Sequence, residues 1–331
     1  RSTLSPSSAA SDVYKRQAAS PAGIAVIHSL FNIGATILLF PFANLLEKMA
    51  ILAIPDKGSE VEEMEEEKIN PDLARLDERF LDKPGFAMEE CRGVAINMAR
   101  KSKKAMNLAI DLLKEYDEKT SARVEKLENQ IDQYEDALGT YLVKLSERDL
   151  SVKDSRILSV LLHCIGDFER ISDHAVNIRD AAVEMNKKNL QFSDKAKQEL
   201  LVFSNAIRDI IDRAVLAFET GDTGLAKEVE PLEQVVDALN KEEKQRHINR
   251  LRTGTCTIEL GFVLSDISTN FERAADHCSN IAVCLLQVDE GGFDTHEYLD
   301  ILKEEHSEEF RHEYMELSEK YTLPESKHGG K

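Results

Sequence analysis

The sequence predicts an all-α protein: two tandem three-helix-bundle repeats preceded by one transmembrane helix. Three observations lead there. Aromatics make up only 6% of the chain, Trp is absent, and Gly and Pro number 15 and 8 in 331 residues, a profile that favours helices. No stretch alternates apolar and polar side chains with period two for long enough to suggest a sheet. An eleven-residue run, Phe168-Glu-Arg-Ile-Ser-Asp-His-Ala-Val-Asn-Ile178, returns 103 residues later as Phe271-Glu-Arg-Ala-Ala-Asp-His-Cys-Ser-Asn-Ile281. The chain is therefore internally duplicated, and the duplicated element is charged.

Residues 1–17 open on Arg rather than Met and form a Ser/Ala-rich run without apolar period. They read as a non-native or disordered leader outside the fold, on a piece of a longer protein. From Gly23 to Leu46 no residue is formally charged when His28 is neutral, and Met49–Ile54 adds apolar length. About 20 such residues cross a bilayer core, so residues 22–54 read as a terminal transmembrane segment. His28, Asn32 and Pro41 would face partner helices rather than lipid; a buried soluble helix is the alternative. Residues 55–87 are an acidic linker punctuated by Gly58, Pro71 and Pro84.

Two trios of amphipathic helices follow, in a first repeat over 88–190 and a second over 191–290. Helical spacing of Ala95, Met98, Ala99, Met106, Ala109, Ile110 and Leu113 predicts a helix over Met88–Glu115. Leu127, Ile131, Tyr134, Leu138 and Leu142 predict the next over Val124–Leu145. Ser151 reads as the cap of a third, running to about Met185. Ser193 caps a fourth that ends near Gly221, a fifth spans about Thr223–Arg252, and a sixth about Thr255–Val288. Pro231 falls near the start of its helix, where a missing N–H costs least. Residues 291–331 are a charged tail with one further helix over Asp294–Tyr321.

A net charge of −19 argues against nucleic acid as partner, because phosphates would be repelled. The charge is uneven. Residues 56–90 and 289–331 each carry 13 acids against 5 bases, so the repeats between them are close to balanced. Cys91, Cys164, Cys256, Cys278 and Cys284 show neither CxxC nor disulfide-scaffold spacing, as in a reducing compartment, and read as small core residues.

The chemistry lies in paired acids. Each duplicated run holds a Glu and an Asp four residues apart, Glu169/Asp173 and Glu272/Asp276, and the middle helix of each repeat holds another such pair, Glu128/Asp132 and Glu233/Asp237. Positions i and i+4 share a helix face, where like charges repel. The pairs of one repeat are 41 and 39 residues apart, the distance at which two antiparallel helices joined by a short turn bring them level. Each bundle then presents about four carboxylates in one patch. Either a cation or an arginine network offsets them. Carboxylate-only clusters suit Mg, Mn, Ca or Fe rather than zinc, whereas Arg170 and Arg273 are placed to pair with acids of neighbouring helices. His174 and His277 follow the motif Asp and point away from it, as second-sphere or structural groups. The Glu-x-x-His spacing that a di-iron oxidase needs on two helices is seen at Glu309–His312, in the tail. With no P-loop, nucleophile elbow, dinucleotide glycine pattern or CxxC, the chain does not read as an enzyme.

The duplicated Phe-Glu-Arg-x-x-Asp-His with an upstream Glu-x-x-x-Asp resembles the signature of the PhoU family, phosphate-homeostasis regulators of two three-helix repeats. The resemblance covers about residues 88–288. It implies that Glu128, Asp132, Glu169 and Asp173 hold one multinuclear metal cluster, usually iron, and Glu233, Asp237, Glu272 and Asp276 another; Mg or Mn are alternatives. Where the family has Ile-Gly-Asp, this chain has Ile-Ser-Asp and Ala-Ala-Asp. Residues 25–42 resemble the last membrane stretch of the bacterial sodium/phosphate cotransporter family, in which a PhoU-like domain follows through a short linker. That implies the C-terminal part of a sodium-dependent phosphate transporter, anchored in the inner membrane through 22–54. Its helical domain would be cytoplasmic, partnered with the upstream membrane portion and with phosphate-signalling proteins. A PhoU-type adaptor without the transporter, or a metal-free interaction bundle, are the alternatives.

Overall fold

The computed structural model describes residues 29–34, 70–287 and 307–324. Two compact units divide the chain, Arg1–Glu67 and Lys68–Lys331. In the first, residues 29–34 are helical and carry Leu30, Phe31 and Ile33 exposed. The rest of the predicted membrane segment, the leader and residues 55–69 lie outside the described residues. Among the described residues no helix is long and apolar enough to cross a membrane.

The second unit is all helical among its described residues. Its helices are α1 (Pro84–Leu112), α2 (Glu118–Ser146), α3 (Val152–Lys187), α4 (Asp194–Thr220), α5 (Thr223–Lys227), α6 (Val229–Arg252), α7 (Ile258–Gln287) and α8 (Ser307–Lys320). Local chemistry sets their ends. Asp117, Ser151 and Ser193 each accept from a backbone N–H three residues on, the N-cap bond that relieves an orphan donor. Gly221 closes α4 at φ +68°, a conformation that glycine adopts without steric cost. The single helix predicted over Thr223–Arg252 is broken at Glu228. The restart puts Pro231 in the first turn of α6, where its missing N–H would be unbonded in any case.

Helices α1–α3 form one bundle and α4, α6 and α7 the other, with α3 and α7 packed against each other between them. The duplicated phenylalanines lie at the centre of a single continuous core. Phe168 meets Phe218 edge to face at 4.9 Å, and Phe271 meets Phe203 likewise at 5.2 Å. Both phenylalanines therefore receive an aromatic ring from α4.

The α3–α7 seam is polar and reciprocal. His174 Nδ1 lies 2.8 Å from Asn270 Oδ1, and His277 Nδ1 lies 2.8 Å from Asp167 Oδ1. Asn177 Nδ2 donates to that same Asn270 oxygen at 3.0 Å, and Asn280 Nδ2 to Asp167 Oδ1 at 3.4 Å. Each of these residues is matched by its partner 103 positions away, so the contact has the i-to-j, j-to-i form of a two-fold interface. The two imidazoles stack at its centre, centroids 5.6 Å apart. Both histidines are thus fastened to the opposite repeat.

Each bundle also carries a strap. Residues 70–82, expected as bare linker, make two 3₁₀ turns (Leu73–Arg75 and Glu78–Asp82) that bury Leu81 against the first repeat. Tyr134 OH donates to Asp72 and Tyr141 OH to the Asp77 carbonyl at 2.9 Å. On the second repeat, Leu317, Tyr321 and Leu323 of residues 307–324 are buried. Asp209 of α4 accepts from Lys320 Nζ at 2.9 Å and from Tyr321 OH at 2.8 Å. Of the tail helix predicted over Asp294–Tyr321, residues 294–306 lie outside the described residues.

Candidate metal centre

In the first repeat, Glu128 and Asp132 lie one turn apart on α2, and Glu169 and Asp173 one turn apart on α3. A short α2–α3 connection brings the two pairs level. One carboxylate oxygen from each of Glu128, Asp132 and Asp173 lies within 4.8 Å of the others, with Glu128 and Asp173 half-buried and Asp132 exposed. No hydrogen bond or ion pair from a described residue reaches Glu128 or Asp132. Burial and the charges of Asp132 and Asp173 hold Glu128 above the usual carboxylate range. Burial and then Asp173 do the same for Asp132. Glu169, half-buried beside Asp173, is pushed up to about 7 by burial first and by that neighbour second. Three carboxyls that all resist ionisation in one patch mark a site short of positive charge.

Arg170, expected to pair with a neighbouring helix, instead folds back along its own. It lies 3.3 Å from Glu169 and 3.1 Å from Asp173. The side chain reaches those two acids because they flank it on α3.

The second repeat keeps the motif in different company. Asp237 pairs with Lys241 at 3.2 Å. Glu272 accepts from Asn240 Nδ2 at 2.7 Å and has Lys244 Nζ at 4.0 Å. Glu233 is buried and accepts from Gln234 Nε2 at 3.1 Å. Asp276 is raised by burial, then by Glu272 and Asp237. Among the described residues no three acids of this repeat converge as those of the first do.

The model of the PhoU domain matches residues 95–182 and again 200–285, together over half of the chain. The chain belongs to the PhoU domain family. Its relatives include phosphate-specific transport system accessory protein PhoU homolog 1 of Thermotoga maritima, 23% identical over 188 residues, 56% of this chain and 80% of that protein. The PhoU homolog of Pseudomonas aeruginosa is 23% identical over 219 residues, 66% of this chain and 90% of its own length. In fold, the crystal structure of PhoU from Pseudomonas aeruginosa covers 62% of this chain and 97% of its own, with TM-score 0.58 at 22% identity. The phosphate transport system regulatory protein PhoU from Streptococcus pneumoniae covers 64% and 99%, with TM-score 0.57 at 17% identity. The PhoU match leaves out residues 22–54 and both straps, so the transporter expectation gains nothing from it.

All eight acids expected from the sequence thus lie on the two PhoU repeats, but only Glu128, Asp132 and Asp173 meet tightly. Sequence reasoning missed Asn240, Lys241 and Lys244, which partner Asp237 and Glu272 of the second patch. Their signal was present. At the 105-residue offset of the middle-helix motif, the first repeat has Glu135, Asp136 and Gly139 in their places.

Proposed function

We propose that this chain is a PhoU-type accessory regulator of phosphate transport whose first repeat holds a metal cation. The observation that supports the metal is the convergence of Glu128, Asp132 and Asp173 with no cation bonded to Glu128 or Asp132. An oxygen-only donor set of this kind fits a hard or borderline cation, with Mn, Mg or iron as candidates. Bound there, a cation supplies the charge that the patch lacks. The protein's own part is positional: α2 and α3 fix the carboxylates, Glu169 adds a fourth, and Arg170 holds Asp173 when no metal competes. In this reading Glu233, Asp237, Glu272 and Asp276 form a second, weaker patch. The chain acts by docking rather than by catalysis, as an accessory to a phosphate transport system, the role that the names of its relatives print. Elemental analysis and Mn²⁺ titration test the site. Glu128→Gln with Asp173→Asn is expected to remove metal from the first repeat; unchanged metal content refutes the assignment.

A second reading keeps a membrane anchor and, through it, the C-terminal portion of a sodium-dependent phosphate transporter. The uncharged run Gly23–Leu46 favours it. Carbonate washing of membranes separates the two readings: release favours the peripheral regulator, and retention until detergent is added favours the anchored one.

A further inference from the structure

The turn between α6 and α7 puts a thiol against an imidazole. Cys256 Sγ lies 3.7 Å from His247 Nδ1 and 3.5 Å from the Thr257 carbonyl. Thr257 caps α7, accepting from Leu260 N at 3.2 Å, so the sulfur sits just outside the positive end of a 30-residue helix. His247 is 8% exposed and its Nε2 has no partner. A glycine makes that seat possible: a Cβ at Gly261 would lie 2.5 Å from Nε2. Cys256 is partly exposed, whereas Cys91, Cys164, Cys278 and Cys284 are buried. Burial pushes the Cys91 thiol up to about 12, and the Cys278 thiol up as well. Thiols of that kind are inert, and reactive ones sit partly exposed beside a base or a helix N-terminus.

We propose that Cys256 is a modification site, a thiol that reacts with peroxide and with soft carbon electrophiles while His247 takes its proton. The thiol donates to the Thr257 carbonyl at 3.5 Å, and His247 Nδ1 at 3.7 Å can take its proton in the tautomer that carries the ring hydrogen on Nε2. Burial, with Arg250 nearby, lowers the His247 pKa. With hydrogen peroxide as oxidant, sulfur attacks one oxygen, an S–O bond forms and the O–O bond breaks. The thiol proton passes through His247 to the departing hydroxide, which leaves as water. Sulfur is oxidised by two electrons to the sulfenic acid and the peroxide is reduced. A small thiol such as glutathione then displaces water to form a mixed disulfide. The adduct would stand beside the exposed Ile258 and Phe262 of α7 and a cavity of about 240 Å³ lined by Lys244, His247, Gly261 and Ser265. The matching α2–α3 turn of the first repeat holds Ser151 and no cysteine, so the mark is specific to the second repeat.

Brief iodoacetamide exposure of the full chain, read by site-resolved mass spectrometry, tests this. Cys256 is expected to label at least about tenfold faster than Cys91 and Cys278, and His247→Asn to slow it several-fold at unchanged helicity. Dimedone added with peroxide is expected to trap the sulfenic acid at Cys256. Equal labelling of Cys256 in the wild type and His247→Asn overturns the proposal, as does trapping at the buried thiols instead. If His247→Asn unfolds, so that all five thiols label together, Gly261→Ala takes its place. That variant crowds the imidazole from its seat and leaves the thiol untouched; an unaltered Cys256 rate there is equally fatal.

Discussion

In the first repeat Glu128 and Asp132 face Asp173 without an ion pair of their own, Arg170 reaching only Asp173 of the three and Arg179 acting on Glu128 through its charge, while in the second Asp237 and Glu272 hold Lys241, Lys244 and Asn240. The motif is the same; the next turn of the middle helix differs, Glu135, Asp136 and Gly139 against Asn240, Lys241 and Lys244. Asp136 adds to the repulsion on Asp132. Duplication therefore copied the acids, but the neighbouring charges set how much positive charge each patch already holds, and in the second Asp276 is still raised by Glu272 and Asp237. The straps divide the same way. At the 105-residue offset Tyr141 matches Arg246, and each donates to a strap carbonyl, Tyr141 OH to Asp77 and Arg246 Nη1 to Pro324 at 2.6 Å. The first repeat fastens its strap with a neutral phenol. The second uses a guanidinium that is itself held by fully buried Glu199, which also binds Arg250.

That buried ion triad is where the difference is easiest to break. Glu199→Ala would leave Arg250 without its carboxylate and Arg246 with Glu242 alone, and removing one member of a buried pair costs about 3–5 kcal/mol. Urea unfolding is expected to show a loss of that size. A loss no larger than that of a neutral hydrogen bond would erase the distinction between the straps. Next comes Glu243, 1% exposed on α6, whose carboxylate accepts from Ser268 Oγ at 2.5 Å. Burial pushes it from 4.5 up to about 7. Because its folded pKa is the higher one, its contribution to stability is complete below about 4.5 and is lost as pH rises through about 7. This group alone should cost about 3 kcal/mol between those limits. Glu243→Gln should flatten that part of the stability–pH curve, and an unchanged slope would place the titration elsewhere.

The acidic patches themselves can be sharpened rather than broken. If Lys241 and Lys244 are what offset Asp237 and Glu272, the double change Lys241→Ala/Lys244→Ala should tighten Mn²⁺ binding at the second patch by about tenfold, the effect of two solvent-exposed charges on a divalent ion about 10 Å away at a dielectric close to that of water. Asp136→Lys should weaken the first patch in the opposite sense. Titration followed by Mn²⁺ electron paramagnetic resonance reads both. Affinities that ignore these lysines would mean that backbone geometry, not local charge, separates the repeats.

Much of this was legible in the sequence wherever the signal was periodic. Four acid pairs at offsets of 103 and 105 residues placed both patches on the second and third helices of each bundle, and Ser151 and Ser193 announced their caps. The seam was not legible. His174 takes its partner from a residue 96 positions away and His277 from one 110 away, and no local spacing encodes which face of α3 meets α7. The strap over residues 70–82 escaped because the helical spacing of Leu73, Leu76 and Phe80 is confined to a short run between Pro71 and Pro84; only the surface of α1 and α2 makes sense of it. Cys256 was grouped with the core thiols because composition treats all five alike, whereas its place in a turn sets it apart. Of the predicted membrane segment only residues 29–34 are described, so its fate rests on the fractionation experiment.

The smallest effect tests the comparison most directly. Tyr141 is 4% exposed and its ring fills the face of α2 under the strap, so Tyr141→Phe keeps the packing and deletes only the hydroxyl that reaches Asp77. A net loss of about 1 kcal/mol is expected, the worth of one neutral hydrogen bond. Arg246→Met at the matching position also keeps an apolar stem, but it takes a charge away from Glu199, and so should cost clearly more. Hydrogen exchange adds the spatial reading. Tyr141→Phe should loosen the amides of residues 78–83 and leave α8 protected, and Arg246→Met should do the reverse. If both variants loosen both straps, the stacked imidazoles of the α3–α7 seam join the repeats into one cooperative body, and neither strap is held by its own repeat alone.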